Sequence, residues 1–118
     1  MESVTQASIN SIRFDERGLV PVVVHEAASG NVLMLAWANR EALEHTFKSR
    51  EAWFWSRSRR ELWNKGATSG NRLRVLKVIA DCDADAVLYV VERLGGGVCH
   101  ETDETGNNRL SCFFRRLL

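Results

Sequence analysis

Residues 19–37, "LVPVVVHEAASGNVLMLAW", contain two apolar runs on either side of the short polar segment "SGN". Both runs are rich in aliphatic and β-branched residues, and the glycine between them favours a turn. We therefore predict an antiparallel β-hairpin, which supplies the first two strands of the fold.

The sequence after this hairpin changes period once and then returns to strand patterns. In "NREALEHTFKSR", Asn39 can cap a helix, Glu41 suits its first turn, and Leu43 and Phe47 lie four residues apart on one face. Further strands are predicted for "AWFWS", "LRVLKVIA", "VLYVVERL" and "SCFFRRLL", and the polar run "RSRRELWNKGATSGNR" is predicted to be a loop. The fold class is therefore α+β, with mostly antiparallel strands and one main helix.

The size and charge of the chain exclude several classes of protein. Its 118 residues suit a single domain, residues 1–118. Lys plus Arg is 16 and Asp plus Glu is 15, so no overall charge attracts nucleic acid or a membrane. No apolar run is long enough to span a bilayer, and "MESVTQASIN" lacks the pattern of a secretory signal. We expect a cytoplasmic protein.

The segment "DCDADA", residues 81–86, crowds three carboxylates around a cysteine. If the segment is extended, Asp81, Asp83 and Asp85 share one face and Cys82 points to the other. Three carboxylates suit magnesium, whereas a thiolate suits zinc. A calcium loop is a weaker alternative because Ala86 replaces the glycine that such a loop requires. A solvated acidic strand end is the common non-functional alternative.

Three cysteines, Cys82, Cys99 and Cys112, are well separated in the sequence. In a reducing compartment they are either free buried thiols or metal ligands. Three ligands would leave one tetrahedral position open for water, which is the catalytic arrangement of zinc. His100, adjacent to Cys99, is either a nearby base or a hydrogen-bonded structural histidine.

A third segment, "WFWSRSRRELWNKGATSGN", combines cations, hydroxyls and glycines, as phosphate recognition requires. It has no P-loop pattern. Its tryptophans could stack on a base or pack in the core, and single-stranded nucleic acid binding is opposed by the balanced charge. The candidate substrate-binding residues are Trp55, Ser56, Arg57, Ser58, Arg59, Lys65, Thr68, Ser69, Gly70 and Asn71.

Taken together, these motifs resemble phosphoribosyl-AMP cyclohydrolase, an enzyme family of histidine biosynthesis. The matching stretches are "LMLAW.NREAL..T", "FWSRSR..LW.KG.TSGN", "DCDADA", "CH" and "SCFF", in the order of the family and from about residue 18 onward. The second stretch followed by "DCD.DA" is the most specific part of the resemblance.

The resemblance implies an intertwined homodimer that depends on zinc and magnesium and hydrolyses the N1–C6 bond of the adenine ring in phosphoribosyl-AMP. It implies zinc ligands at Cys82, Cys99 and Cys112, with Cys82 reaching the site from the other subunit. It implies magnesium at Asp81, Asp83 and Asp85, and an acid/base role for His100. The Ser-Arg-Ser-Arg and Thr-Ser-Gly segments would hold the nucleotide with its two phosphate groups.

The chain departs from the family pattern at two places. The segment "ETDETGNNRL" intervenes where the family has a short link, so it is either a surface bulge or a displacement of Cys112 that alters the zinc site. Leu73 stands where the family commonly has glutamine. A degenerate homologue, or a zinc-stabilised dimeric interaction domain without turnover, is therefore the alternative function.

Overall fold

The computed structural model describes residues 8–118. Within these residues, six strands and one α-helix follow a short 3₁₀ turn at Ile9–Ser11. In chain order they are β1 (Val20–Glu26), β2 (Val32–Ala38), α1 (Arg40–Ser49), β3 (Trp53–Ser56), β4 (Glu61–Asn64), β5 (Leu73–Ala80) and β6 (Val87–Arg93). Residues 1–7 lie outside the described residues. They make up most of "MESVTQASIN", the segment that was predicted to lack a secretory signal.

Four strands form one sheet in the spatial order β2-β1-β6-β5. β1 pairs antiparallel with β2, and β5 pairs antiparallel with β6, whereas β1 and β6 run parallel. β3 and β4 form a separate antiparallel ribbon. The predicted α+β class with mostly antiparallel strands and one main helix is confirmed, and the parallel β1–β6 pair joins two hairpins into one sheet.

One face of this sheet carries the hydrophobic core. Successive side chains of a strand point to opposite faces, so Val20, Val22 and Val24 of β1 are buried together. Tyr89 and Val91 of the neighbouring β6 are fully buried on the same face. The helix α1 and the ribbon strand β3 pack together and against this core.

The helix begins as the sequence predicts, because the Asn39 side chain accepts a hydrogen bond from the Ala42 amide at 2.8 Å. Leu43 is buried, as expected. Phe47, however, is 44% exposed, and Thr46 is buried in its place. Leu43 and Phe47 share one face, as their spacing predicts, and line one small cavity, but of the two only Leu43 is buried.

Thr46 is buried because its hydroxyl serves three elements of the fold. Its Oγ1 donates to the Ala42 carbonyl at 3.0 Å and accepts from the Trp53 amide at 3.0 Å. The Tyr89 hydroxyl lies 3.2 Å from Oγ1 and donates to the Trp53 carbonyl at 3.1 Å. Burial raises the pKa of Tyr89, with a smaller opposing effect of Thr46, so the phenol stays neutral and links β6 to β3.

Two further sequence predictions are wrong. The polar run after β3 contains β4, because Arg60 adopts a left-handed φ of 56° and closes a tight turn back onto β3. The chain end, residues 111–118, forms no strand, although the Cys112 amide donates to the Leu33 carbonyl of β2 at 2.7 Å. No helix within residues 8–118 has the length and apolarity that crossing a membrane requires.

An ion pair fastens the ends of β1 and β6. The buried Glu26 carboxylate accepts from Arg93 Nε at 2.5 Å and from the Ser29 hydroxyl at 2.6 Å. Arg93 also donates to the Gly96 carbonyl at 3.4 Å, in the loop that follows β6. The hydrogen bond from Ser29, and then that from Arg93, lowers the pKa of Glu26.

Replacing the buried carboxylate tests this contact. We expect Glu26→Gln to lower the free energy of unfolding at neutral pH by about 2 kcal/mol, because Arg93 loses its charged partner. Since the pKa of Glu26 is lowered by folding, its contribution is present above the unfolded-state pKa and is lost as pH falls through the folded-state pKa. Urea denaturation at a series of pH values and one protein concentration measures both effects.

Glu51→Gln is the matched control, because the ion pair of Glu51 with Arg72 at 3.1 Å is more exposed to solvent than that of Glu26 with Arg93. It should cost less than about 1 kcal/mol. Equal losses for the two variants, or a loss at Glu26 that does not change with pH, would contradict the assignment.

Candidate active site

The acidic segment, residues 81–86, forms a turn between β5 and β6 and not an extended strand. The Asp81 carboxylate accepts the amides of Asp85 and Ala86 at 3.1 and 3.3 Å, and Ala84 adopts a left-handed φ of 61°. The prediction that strand alternation places the aspartates opposite Cys82 is therefore wrong, because a turn does not alternate its side chains.

The turn nevertheless gathers the predicted carboxylates. Ligand oxygens of Asp81, Asp83 and Asp85 all lie within 4.8 Å of one another, and all three residues are exposed. A hydrogen bond between Asp83 and Asp85 lowers the pKa of Asp83 and raises that of Asp85. Such crowding disfavours full ionisation, and a hard divalent cation would relieve it. The three oxygens therefore fit magnesium.

The thiols of Cys99 and Cys112 are neighbours in the structure. Burial, followed by the adjacent Cys99 thiol, raises the pKa of Cys112 to about 11. Cys99 is buried, whereas Cys112 is exposed. Two adjacent soft donors of this kind suit zinc.

The segment between these cysteines leaves the site and returns to it. The Cys99 amide donates to the Arg109 carbonyl at 3.1 Å, and the Val98 amide donates to the Leu110 carbonyl at 3.2 Å. At the tip, the Asp103 carboxylate accepts the amides of Thr105 and Asn107 at 2.9 and 3.1 Å. The structure therefore supports the surface-bulge interpretation of "ETDETGNNRL" over a displaced Cys112.

Gly97 permits the close return of this segment. A Cβ atom at Gly97 would overlap the carbonyl oxygens of Asn108 and Arg109. The Asn108 side chain also donates to the Cys99 carbonyl at 2.9 Å. Nothing in the sequence indicates that Gly97 and Asn108 hold the two cysteine segments together.

Lys65 is the cation next to the two thiols. Its Nζ donates to the carbonyl of Val98, the residue before Cys99. Burial lowers the pKa of Lys65, and the negative charges of ionised Cys112 and Cys99 oppose that shift. Lys65 was predicted to bind substrate. The structure gives it a contact with the thiol segment, and its role toward substrate stays a prediction.

A cleft of about 740 Å³ opens beside the thiols. His100, which is exposed, lines this cleft together with Cys99, as the predicted acid/base role requires. Five of the predicted substrate-binding residues and two further asparagines also line it. The seven are Arg59, Lys65, Thr68, Ser69, Asn71, Asn64 and Asn108. We call it the large cleft.

The other predicted substrate-binding side chains line a second cleft of about 470 Å³, which we call the small cleft. Its lining comprises Ala36, Trp37, Trp55, Ser56, Arg57, Ser58 and Trp63. The Arg57 guanidinium carbon lies 4.6 Å from the centroid of the Trp37 ring. Trp37 was not among the predicted substrate-binding residues, because its contact with Arg57 joins β2 to a distant turn and is not visible in a local pattern.

Two predicted substrate-binding residues, and the position of the departure from the family pattern, have structural roles in this chain. The Asn71 side chain accepts the Gly96 amide at 2.9 Å and so holds the loop after β6. Gly70 adopts a left-handed φ of 83° and does not line the large cleft. Leu73, at the position where the family commonly has glutamine, is buried in the core of this chain.

Cys82 lies far from the other thiols of the same chain. It is in the turn before β6, whereas Cys99 follows the opposite end of that strand. At about 3.3 Å a residue, the length of β6 corresponds to roughly 20 Å. Within residues 8–118, the aspartates at 81, 83 and 85 are the one group of three potential ligands whose atoms meet, so one chain assembles two of the three predicted thiol ligands.

Comparison with known proteins gives consistent results. The family model described as phosphoribosyl-AMP cyclohydrolase matches residues 34–114. The phosphoribosyl-AMP cyclohydrolase of Aromatoleum aromaticum is 54% identical over 110 residues, which cover 93% of this chain and 78% of that protein. The protein of the same name from Archaeoglobus fulgidus is 52% identical over 106 residues, covering 90% of this chain and 92% of the relative.

A longer relative also matches. The histidine biosynthesis bifunctional protein HisIE of Gloeobacter violaceus is 52% identical over 103 residues. These residues cover 87% of this chain and 44% of that protein. The likeness therefore concerns one part of the bifunctional relative.

The contact at Gly97 can be tested with adjacent glycines. We expect Gly97→Ala to lower the free energy of unfolding by about 1–3 kcal/mol, because its Cβ overlaps the returning backbone. In metal-free protein carrying Cys82→Ser, it should also slow formation of a Cys99–Cys112 disulfide under mild oxidation, measured by loss of free thiol.

Gly96→Ala is the control, since its Cβ would lie 3.5 Å from the Asn71 side chain, an ordinary contact distance. It should retain the disulfide rate of the parent protein. If the two alanine variants behaved alike, the close approach at Gly97 would not be what holds the cysteines together.

Proposed function

Because the chain belongs to the phosphoribosyl-AMP cyclohydrolase family, an enzyme family of histidine biosynthesis, we propose that it opens the adenine ring of phosphoribosyl-AMP by zinc-dependent hydrolysis of the N1–C6 bond. The observation that carries this proposal is the large cleft, in which His100 and the Cys99 segment stand beside a second thiol, Cys112. Hydroxyl and cationic side chains suited to a phosphorylated ligand line the same cleft.

The zinc site is proposed at Cys99 and Cys112, completed by Cys82 of a second subunit. Adjacent thiols with Lys65 beside them fit the ion, because the ammonium group offsets part of the negative charge that thiolates bring. A zinc ion held there would activate the water that hydrolyses the ring. Magnesium is proposed at Asp81, Asp83 and Asp85, where the crowded oxygens suit a hard cation.

The C6 atom of the substrate is more reactive toward a nucleophile than C6 of ordinary adenine. Its N1 atom carries a phosphoribosyl group, so the ring electrons cannot delocalise as in adenine and C6 is more electrophilic. Breaking the N1–C6 bond then requires a proton at a ring nitrogen. We assign the transfer of that proton to His100, which lines the cleft beside Cys99.

A homodimer is proposed from the outer face of the sheet, which the core does not cover. Leu35, Val23, Leu88 and Ile79 are direct neighbours across β2, β1, β6 and β5, and they form one apolar row. Leu35 is 47% exposed and Ile79 is 37% exposed. Such a row suits burial against a second copy, which would also supply the missing Cys82. We propose a cytoplasmic location, where these thiols would stay reduced.

The activity itself is tested by following ring opening of phosphoribosyl-AMP by absorbance in zinc-supplemented protein, before and after chelation. We expect turnover that chelation abolishes and zinc restores. His100→Ala should keep zinc and lose turnover by at least about 100-fold, because a general acid/base contributes this much. Cys99→Ala should lose both zinc and turnover.

Zinc content, measured by metal analysis of the purified variants, separates the two effects. Full turnover of the His100 variant would contradict its acid/base role. No turnover by a folded, zinc-loaded wild-type dimer would contradict the proposed function as a whole.

The shared zinc site is tested by mixing two variants that are inactive alone, Cys82→Ser and Cys99→Ser. In a mixed dimer the Cys82→Ser chain supplies Cys99 and Cys112, and the Cys99→Ser chain supplies Cys82, so one intact site forms. After equal mixing and subunit exchange, about a quarter of the wild-type activity should return.

The control mixes Cys99→Ser with Cys112→Ser. Neither of these chains offers an intact Cys99–Cys112 pair, so no activity should return. If the first mixture also stayed inactive although mass spectrometry showed mixed dimers, the site would not be shared in this way.

A further inference from the structure

The structure divides the predicted substrate-binding residues between two neighbouring clefts. Trp63 of β4 lines both the large and the small cleft and forms a wall that they share. Arg59 lines only the large cleft, and Arg57 lines only the small cleft. The turn between β3 and β4 therefore presents Arg57 and Arg59 to different clefts, although they are only two residues apart.

The two arginines also differ in their partners. Arg59 pairs with Glu61 at 3.2 Å, so a carboxylate already offsets its charge. Arg57 is exposed and lies over the Trp37 ring, which fixes the guanidinium without neutralising it. The hydroxyls of Ser56 and Ser58, 3.5 Å apart, line the same cleft. The small cleft thus combines a cation with two hydroxyls, a set that suits a phosphate group.

The proposed substrate has two arms, each a ribose with a 5′-phosphate. One arm is attached to N1, next to the bond that breaks, and the other is attached to N9, on the far ring of the purine. Cys99 and His100 line the large cleft and not the small one. The reacting C6 atom and the adjoining N1 arm therefore belong in the large cleft. The exposed hydroxyls of Thr68 and Ser69 in that cleft are available to its phosphate.

We propose that the N9 arm, which is the AMP part of the substrate, binds in the small cleft through Arg57, Ser56 and Ser58. The purine then lies along Trp63, and the N1 arm enters the large cleft at Thr68. This inference rests on the proposed function and adds to it a division of the two phosphates.

AMP is the probe that separates the arms, because it carries the N9 arm and lacks the N1 arm. We expect Arg57→Met to raise the inhibition constant of AMP about tenfold, together with the KM for phosphoribosyl-AMP, since a charged phosphate contact is lost. Thr68→Val should raise the KM but leave the inhibition constant of AMP within about twofold.

Arg59→Met is the matched control, with the same substitution on the same turn, and it should leave AMP inhibition within about twofold. AMP binding is also measured by calorimetry on wild type and variants with unchanged unfolding temperatures. An Arg57 variant that binds AMP normally, a Thr68 variant that loses AMP equally, or a wild type that does not bind AMP would overturn the assignment. Failure of wild-type turnover with intact Arg57-dependent AMP binding would instead contradict the proposed reaction.

Discussion

The candidate site depends on the close approach of two backbone segments at Gly97. The absence of a side chain there lets the carbonyl groups of Asn108 and Arg109 pack against the loop after β6. The Cys99 amide then donates a hydrogen bond to the Arg109 carbonyl, and the Cys112 amide donates one to the Leu33 carbonyl of β2. Because loop closure costs little more for a longer loop, the ten residues of "ETDETGNNRL" can leave and return without separating the thiols.

The loop after β6 is in turn positioned by the sheet. Arg93 joins the buried Glu26 to the Gly96 carbonyl, and Asn71 fixes the Gly96 amide. These contacts connect the end of the parallel β1–β6 pair with the turn that carries Thr68 and Ser69. The large cleft therefore lies between the ribbon, the turn before β5 and the thiol loop. Asn71, which lines it, is itself held to the loop after β6 by the hydrogen bond to Gly96.

Local sequence patterns were sufficient for the first hairpin, the helix start at Asn39 and the strands β3, β5 and β6. They failed where a turn or a tertiary contact decides the structure. β4 was hidden in a polar run because its pairing depends on the left-handed conformation of Arg60. The burial of Thr46 was not predicted either, because periodicity alone cannot anticipate that its hydroxyl bonds to Trp53 and to Ala42.

For "DCDADA", the grouping of the three aspartates was predicted correctly, but the extended geometry from which it was predicted is wrong. Alternation along a strand was the reason for placing the aspartates together, yet a turn capped by the Asp81 carboxylate is what gathers them. The strand β6, which the sequence does predict, separates this turn from Cys99. That separation makes one chain insufficient for the three-thiol site, so the proposed catalytic centre and the proposed subunit contact are one structural feature. A change at the apolar row of the outer sheet face would then act on catalysis through the position of Cys82, with no direct contact to substrate.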